Sequence, residues 1–154
     1  MNIWALGGFL LFAFIDGATQ ESVDGPAEKT KGKVEFRRAE TTPADGLIEA
    51  IVPGTNQKVY LRKDVEATND DFAKVRAAVD DRGAPAIEIN FTKVGAKKMA
   101  KLSEKHIGKR LAILVDGTVV SAPIVNAKFS EKALIMGTFT KLEVEELVKD
   151  INAK

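Results

Sequence analysis

Cysteine is absent from the 154 residues, which excludes disulfides, thiolate zinc sites, a cysteine nucleophile and a lipid-modified cysteine anchor. Charge of one sign is lacking as well. The 23 lysines and arginines nearly balance the 22 acids, a net of +1, so the chain as a whole has no strong field for nucleic acid phosphates or an anionic membrane. Aromatic residues make up 6% and none is interleaved with the lysine clusters as base stacking requires. No glycine-rich loop joins a strand to a helix, which argues against a phosphate cradle. No internal repeat or low-complexity tract is present. Long hydrophobic runs are missing too. The longest, Ile3 to Ile15, is shorter than the ~20 residues a membrane span needs.

That run instead has the length of a signal-peptide core, followed by small and polar residues, although its start carries no Lys or Arg and Asp16 follows it. Residues 1–20 are read as a signal peptide, which makes the protein exported, periplasmic or otherwise extracytoplasmic, with no membrane span in its mature form. Residues 21–33, ESVDGPAEKTKGK, hold one large apolar residue among charges, Gly and Pro and read as a flexible linker. Residues 34–154 are long enough for a single domain with its own core.

Within that domain, VEFRRAE, GLIEAIV and VYLRKDV read as strands, the second stopping at Pro53-Gly54. TNDDFAKV has a capping residue at Thr68 or Asn69, acids in its first turn and Phe72 with Val75 three apart, which predicts one or two helical turns before a strand VRAAV. In AIEINF, Ile87, Ile89 and Phe91 share one face of a half-buried strand. Thr92 caps the next helix, whose stripe of Ala96, Met99, Ser103, His106 and Ile107 opposes Lys97, Lys98, Lys101 and Lys105, with Gly108 past its end. KALIMGTF supplies a further strand. The final helix opens on a Thr140/Glu143 capping box with Phe139 and Val144 as a hydrophobic staple, and buries Val144, Leu147, Val148 and Ile151.

The most legible stretch is LAILVDGTVVSAPIV, residues 111 to 125. An Asp116-Gly117 connection specifies a type I′ hairpin and pairs Val115 with Thr118, Leu114 with Val119, Ile113 with Val120 and Ala112 with Ser121. Both faces of that ribbon are apolar, which predicts a place in the middle of a sheet, under helices on one face and partly covered on the other. The order of elements is that of an α+β fold, a mainly antiparallel sheet with two principal helices packed on one face.

Chemistry is sparse. His106 is the sole histidine, so a small extracytoplasmic hydrolase would have to use it. Its place in the last turn of an apolar helix stripe also suits a packed ring, and no serine stands in a nucleophile-elbow pattern. Asp70-Asp71 and Asp80-Asp81 match no calcium-loop spacing and suit caps and turns. The lysine clusters suit a solvated face, not nucleic acid. No catalytic residue, metal ligand or cofactor is assigned. What remains is the exit of the hairpin. Pro123 removes a ladder donor, and an interrupted strand edge can accept an extended peptide by strand addition. Ser121, Pro123, Asn126 and Phe129 are therefore the candidate binding residues.

Taken together, VYLRKDV, TNDDFAKVRAAV, GAPAIEINFT, GAKKMAKLSEKHIGKRLAILVDGTVVSAPIVN and GTFTKLEVEELV, spanning about Gly46 to Ile151, resemble the head subdomain of the first periplasmic loop of SecD, an accessory subunit of the Sec protein-export machinery. The resemblance implies an extracytoplasmic, non-catalytic interaction module whose partners are polypeptide segments emerging from a translocon, other envelope proteins or Sec components. It offers no catalytic residues to carry over. Two departures stand out: Ala127 to Lys132 replaces a loop that is glycine-rich in the family, and Lys93-Val94 replaces acids at the helix start. A domain that keeps the fold but takes an unrelated ligand is the further alternative.

Overall fold

The computed structural model describes residues 31–153; the expected signal peptide and the linker as far as residue 30 lie outside the described residues. The elements run β1 (Val34–Glu40), β2 (Ile48–Val52), β3 (Gln57–Thr68), a 3-10 turn (Asn69–Asp71), β4 (Phe72–Val79), β5 (Pro85–Phe91), α1 (Lys93–Lys105), β6 (Arg110–Val115), β7 (Thr118–Ser121), β8 (Lys132–Met136) and α2 (Lys141–Asn152). All strand pairs are antiparallel and both helices enter one core, so the fold class is α+β. The strands divide between two sheets, ordered β2-β3-β1-β6-β7 and β4-β5-β8.

The main core lies between these sheets. Val34 and Phe36 of β1 and Leu111, Ile113 and Val115 of β6 meet Val75, Ile87, Ile89, Phe91 and Ile135 of the second sheet, with Met99 from α1 and Val144 and Ile151 from α2. Phe36, Phe72 and Phe91 knit the sheets together as a triad of edge-on rings with centroids 5.9–6.3 Å apart. The alternate residues, Ala39, Ala112 and Leu114, form a second cluster with Val52, Val59, Leu61 and Val119 of the five-stranded sheet and Ala122 just past β7. That sheet curls until β2 comes against β7. The second apolar face of β6 is thus covered by the sheet itself.

The hairpin tip is as expected: Asp116 and Gly117 take φ of 49° and 80°, and Val115 pairs with Thr118 and Leu114 with Val119. Beyond it, the expected register needs correction. Ile113 faces Ser121, not Val120, because a bulge at this point advances β7 by one residue. The placement changes as well: β6 is interior, but β7 forms the end of its sheet.

The predicted helix over residues 68–75 is the clearest error. Thr68 does cap, in a reciprocal box with Asp71, but only three residues of 3-10 helix follow before β4 begins. Phe72 and Val75 are three apart because a bulge interrupts β4 between Phe72 and Lys74, returning both side chains to the core by a route that imitates helical spacing. Ile107 also departs from its predicted stripe: α1 ends at Lys105 and Ile107 is exposed.

Candidate functional site

The four residues singled out at the hairpin exit occupy different settings. Ser121 closes β7 opposite Ile113. Pro123 follows, its carbonyl oxygen accepting from the Leu111 amide at 3.0 Å, and Val125 and Lys109 continue the pairing through a 2.8 Å bond. The exit therefore stays zipped to β6 despite the proline, with Ile124 bridged to Arg110. The Arg110 guanidinium donates to the Ala122 carbonyl at 2.7 Å, occupying an acceptor of this segment. Asn126 is exposed. Phe129 is half-buried against the main core, and its amide donates to the Ser103 hydroxyl at 2.7 Å, which pins the loop to α1.

His106 caps α1. Its Nδ1 lies 2.8 Å from the Leu102 carbonyl oxygen, so that nitrogen carries the hydrogen and donates to the helix end. Asp71 closes its capping box and pairs with Lys98, and Asp80 accepts from the amides of Arg82 and Ala84 in a turn. Among the described residues no group of three or more His, Asp or Glu is arranged to hold a metal ion.

A concave surface lies beside β7 instead: a cleft of about 520 Å³ between β7, the end of β2, the loop after β8 and helix α2. Its apolar lining is Pro53, Val115, Val120, Phe139 and Leu147; Asp116, Glu143, Glu146 and Asp150 stand around it with Lys31. Local sequence explains each wall. The type I′ tip sets Asp116 at the mouth, where its carboxylate accepts from the Lys33 amide at 2.9 Å. The Thr140/Glu143 box starts α2 directly after Phe139. Accepting from the amide and hydroxyl of Thr140 holds the Glu143 carboxyl below its ordinary value despite a small opposing effect of desolvation. Gly137 is required by close approach, since a Cβ there would come within 3.0 Å of both the Phe139 ring and the Val120 carbonyl oxygen.

None of Ser121, Pro123, Asn126 and Phe129 lines this cleft. Sequence reading assigned Phe139 and Leu147 to a staple and a core stripe, which they also serve. No spacing signal unites a lining drawn from residues 31, 53, 115–120 and 138–150.

A family model described as SecDF, P1 head subdomain, matches residues 46–153. The protein translocase subunit SecD of Elusimicrobium minutum is 34% identical over 116 residues, covering 75% of this chain and 24% of that protein. SecD of Aquifex aeolicus is 40% identical over 80 residues, covering 52% of this chain and 16% of that protein. The chain therefore spans about a quarter or less of the length of these relatives. A solved structure of SecDF, described as a membrane component that enhances protein export, superposes with a TM-score of 0.64 at 23% identity, over 81% of this chain and 64% of that one. SecDF in a super-membrane-facing form gives 0.65 at 26% identity, over 80% and 19%. Among the described residues no helix is long and apolar enough to cross a membrane. The matched segment runs from just before β2 to the end of α2 and carries the resemblance read from the residues, and on that ground the chain belongs to the SecDF P1 head subdomain family.

Proposed function

We propose that this domain is an extracytoplasmic, non-catalytic module that holds extended polypeptide segments, with apolar side chains of the segment seated in the cleft between β7 and α2. The observation that carries this reading is the cleft itself: an open apolar trough lined by Val120, Phe139 and Leu147, bordering a strand at the end of its sheet, in a member of a protein-export family. Ser121, Pro123, Asn126 and Phe129 follow Val120 along the chain and offer a continuation for a segment leaving the cleft. The engagement of the Ala122 carbonyl by Arg110 favours side-chain capture in the trough over a full added strand at the exit. Capping of α1 by the His106 ring argues against a hydrolase built on that residue.

The test is a titration of the full chain into a fluorescently labelled unfolded polypeptide, read by anisotropy. Saturable binding is expected. It weakens in Val120→Thr, which keeps the volume and makes the trough polar, and persists in His106→Gln. Absence of saturation up to millimolar protein refutes the reading. Docking onto membrane-embedded Sec components is the related proposal, and recovery from crosslinked envelopes without any Sec subunit counts against it.

A further inference from the structure

Helix α1 turns Gly95, Met99 and Ser103 inward, and its opposite side is a column of lysines. Lys93, Lys97, Lys101 and Lys105 recur every four residues, each about 40° further round the helix than the last, so they form a slanting row about 18 Å long across its outer side. All four are exposed and none has an ion-pair partner among the described residues. Their neighbours do: Lys98 pairs with Asp71 at 3.1 Å, and Lys128 pairs with Glu104, the one acid of the helix, at 3.2 Å. Lys109, also exposed, adds a further cation just past the helix end.

Two features set this apart from an ordinary solvated face. Like charges four residues apart weaken a helix, and Lys93 stands in a first turn that holds no acid, where the positive end of the helix dipole opposes a cation. The column thus costs α1 stability, a cost that an anionic partner reverses. The face is also not wholly polar. Val94, 74% exposed, follows Lys93 in the first turn, and Ile107, 56% exposed, lies two residues past the helix end. The near-neutral charge of the whole chain conceals a segregation: α1 carries +4, whereas α2, along the cleft, carries −2.

We propose that this face of α1 docks the domain onto an anionic phospholipid bilayer, the lysines lying along headgroup phosphates and Val94 and Ile107 entering the interface. Lysines act as point charges that follow a field. The column has no guanidinium fork to grip a phosphate bidentately and no aromatic ring to stack a base, so a flat sheet of headgroups suits it better than a nucleic acid. The proposal is independent of the cleft and its polypeptide.

The test is co-sedimentation of the full chain with vesicles of equimolar phosphatidylglycerol and phosphatidylcholine, and with phosphatidylcholine alone. The apolar amino-terminal run adds equally to both, so the readout is the preference for phosphatidylglycerol. A clear preference that declines with added salt is expected. Each lysine near an anionic surface contributes roughly fivefold, so Lys97→Gln/Lys101→Gln should reduce the preference about 25-fold. Lys63→Gln/Lys74→Gln, which removes the same charge from exposed positions on β3 and β4, should leave it intact. No preference for phosphatidylglycerol, or an equal loss in the two double variants, overturns the proposal. So does a column that binds polyglutamate while ignoring the vesicles, which would assign it to an acidic protein. Glutamine is as good a helix former as lysine, and Lys63 and Lys74 are exposed strand positions without an ion pair among the described residues, so both variants fold.

Discussion

Replacing Gly117 by valine isolates the conformational demand of the hairpin tip. Gly117 holds φ at 80°, in the left-handed region, and a Cβ built there has no heavy atom within 4 Å. Packing therefore contributes nothing, and the penalty is that of the backbone alone: about 1–2 kcal/mol for a non-glycine residue in this region, toward the upper end for a β-branched one. The tip is also tied to the start of β1, because the Asp116 amide donates to the Lys33 carbonyl at 2.8 Å and its carboxylate accepts from the Lys33 amide. A distorted turn loosens both bonds. For a domain of this size the loss corresponds to a fall in the melting midpoint of roughly 3–10 °C. Thermal melts of Gly117→Val and Gly117→Asn, followed by circular dichroism, test it. Asparagine tolerates the left-handed region and should lose clearly less. An unchanged midpoint for valine, or equal losses for the two variants, would refute the reasoning.

Ser103→Ala removes a buried hydroxyl that donates to the Ala100 carbonyl and accepts from the Phe129 amide. Leaving that amide unpaired should destabilise by about 1–3 kcal/mol, with faster hydrogen exchange at Phe129; an unaltered exchange rate would mean that the loop is held by other contacts. Acid is expected to destabilise the domain through Glu35, Glu88 and Glu143. For Glu35, burial raises the pKa, but hydrogen bonds and charge from Lys33 and Arg37 outweigh it, and the net value lies below the ordinary 4.5. Glu88 is lowered by its bonds from Asn90 and Arg76, and Glu143 by Thr140. As pH falls below 4.5, the unfolded chain takes up protons at these positions before the folded one does, so their stabilisation, complete above that value, declines until the folded pKa values are passed. Midpoints measured against pH should be insensitive to these groups above 4.5 and fall below it, less steeply in Glu35→Gln; an acid limb identical in the variant would remove Glu35 from the account.

What could be read in advance was local. The Asp116-Gly117 turn, the Thr92 cap and the Thr140/Glu143 box each depend on a few consecutive residues, and each formed as its chemistry requires. What could not be read depends on partners distant in sequence. The bulges in β4 and β7 and the register shifts between β1 and β3 are fixed by the strand opposite, and one of them gave Phe72 and Val75 a helical spacing inside a strand. An apolar ribbon signalled burial on both faces, yet periodicity has no way to distinguish a second layer from a sheet that curls onto itself through β2 and β7. The cleft was invisible for the same reason: Pro53, Val120, Phe139 and Leu147 are each ordinary core or turn residues until the fold assembles them.

The central claim is that the trough between β7 and α2 receives polypeptide. Its most direct measurement is two-dimensional NMR of the isotopically labelled full chain titrated with an unlabelled unfolded polypeptide. Progressive, saturable shifts of Val120, Phe139 and Leu147, fading along Ser121 to Phe129, are the predicted result. Shifts confined to the solvent-facing side of β4, β5 and β8, or none at all, would contradict it.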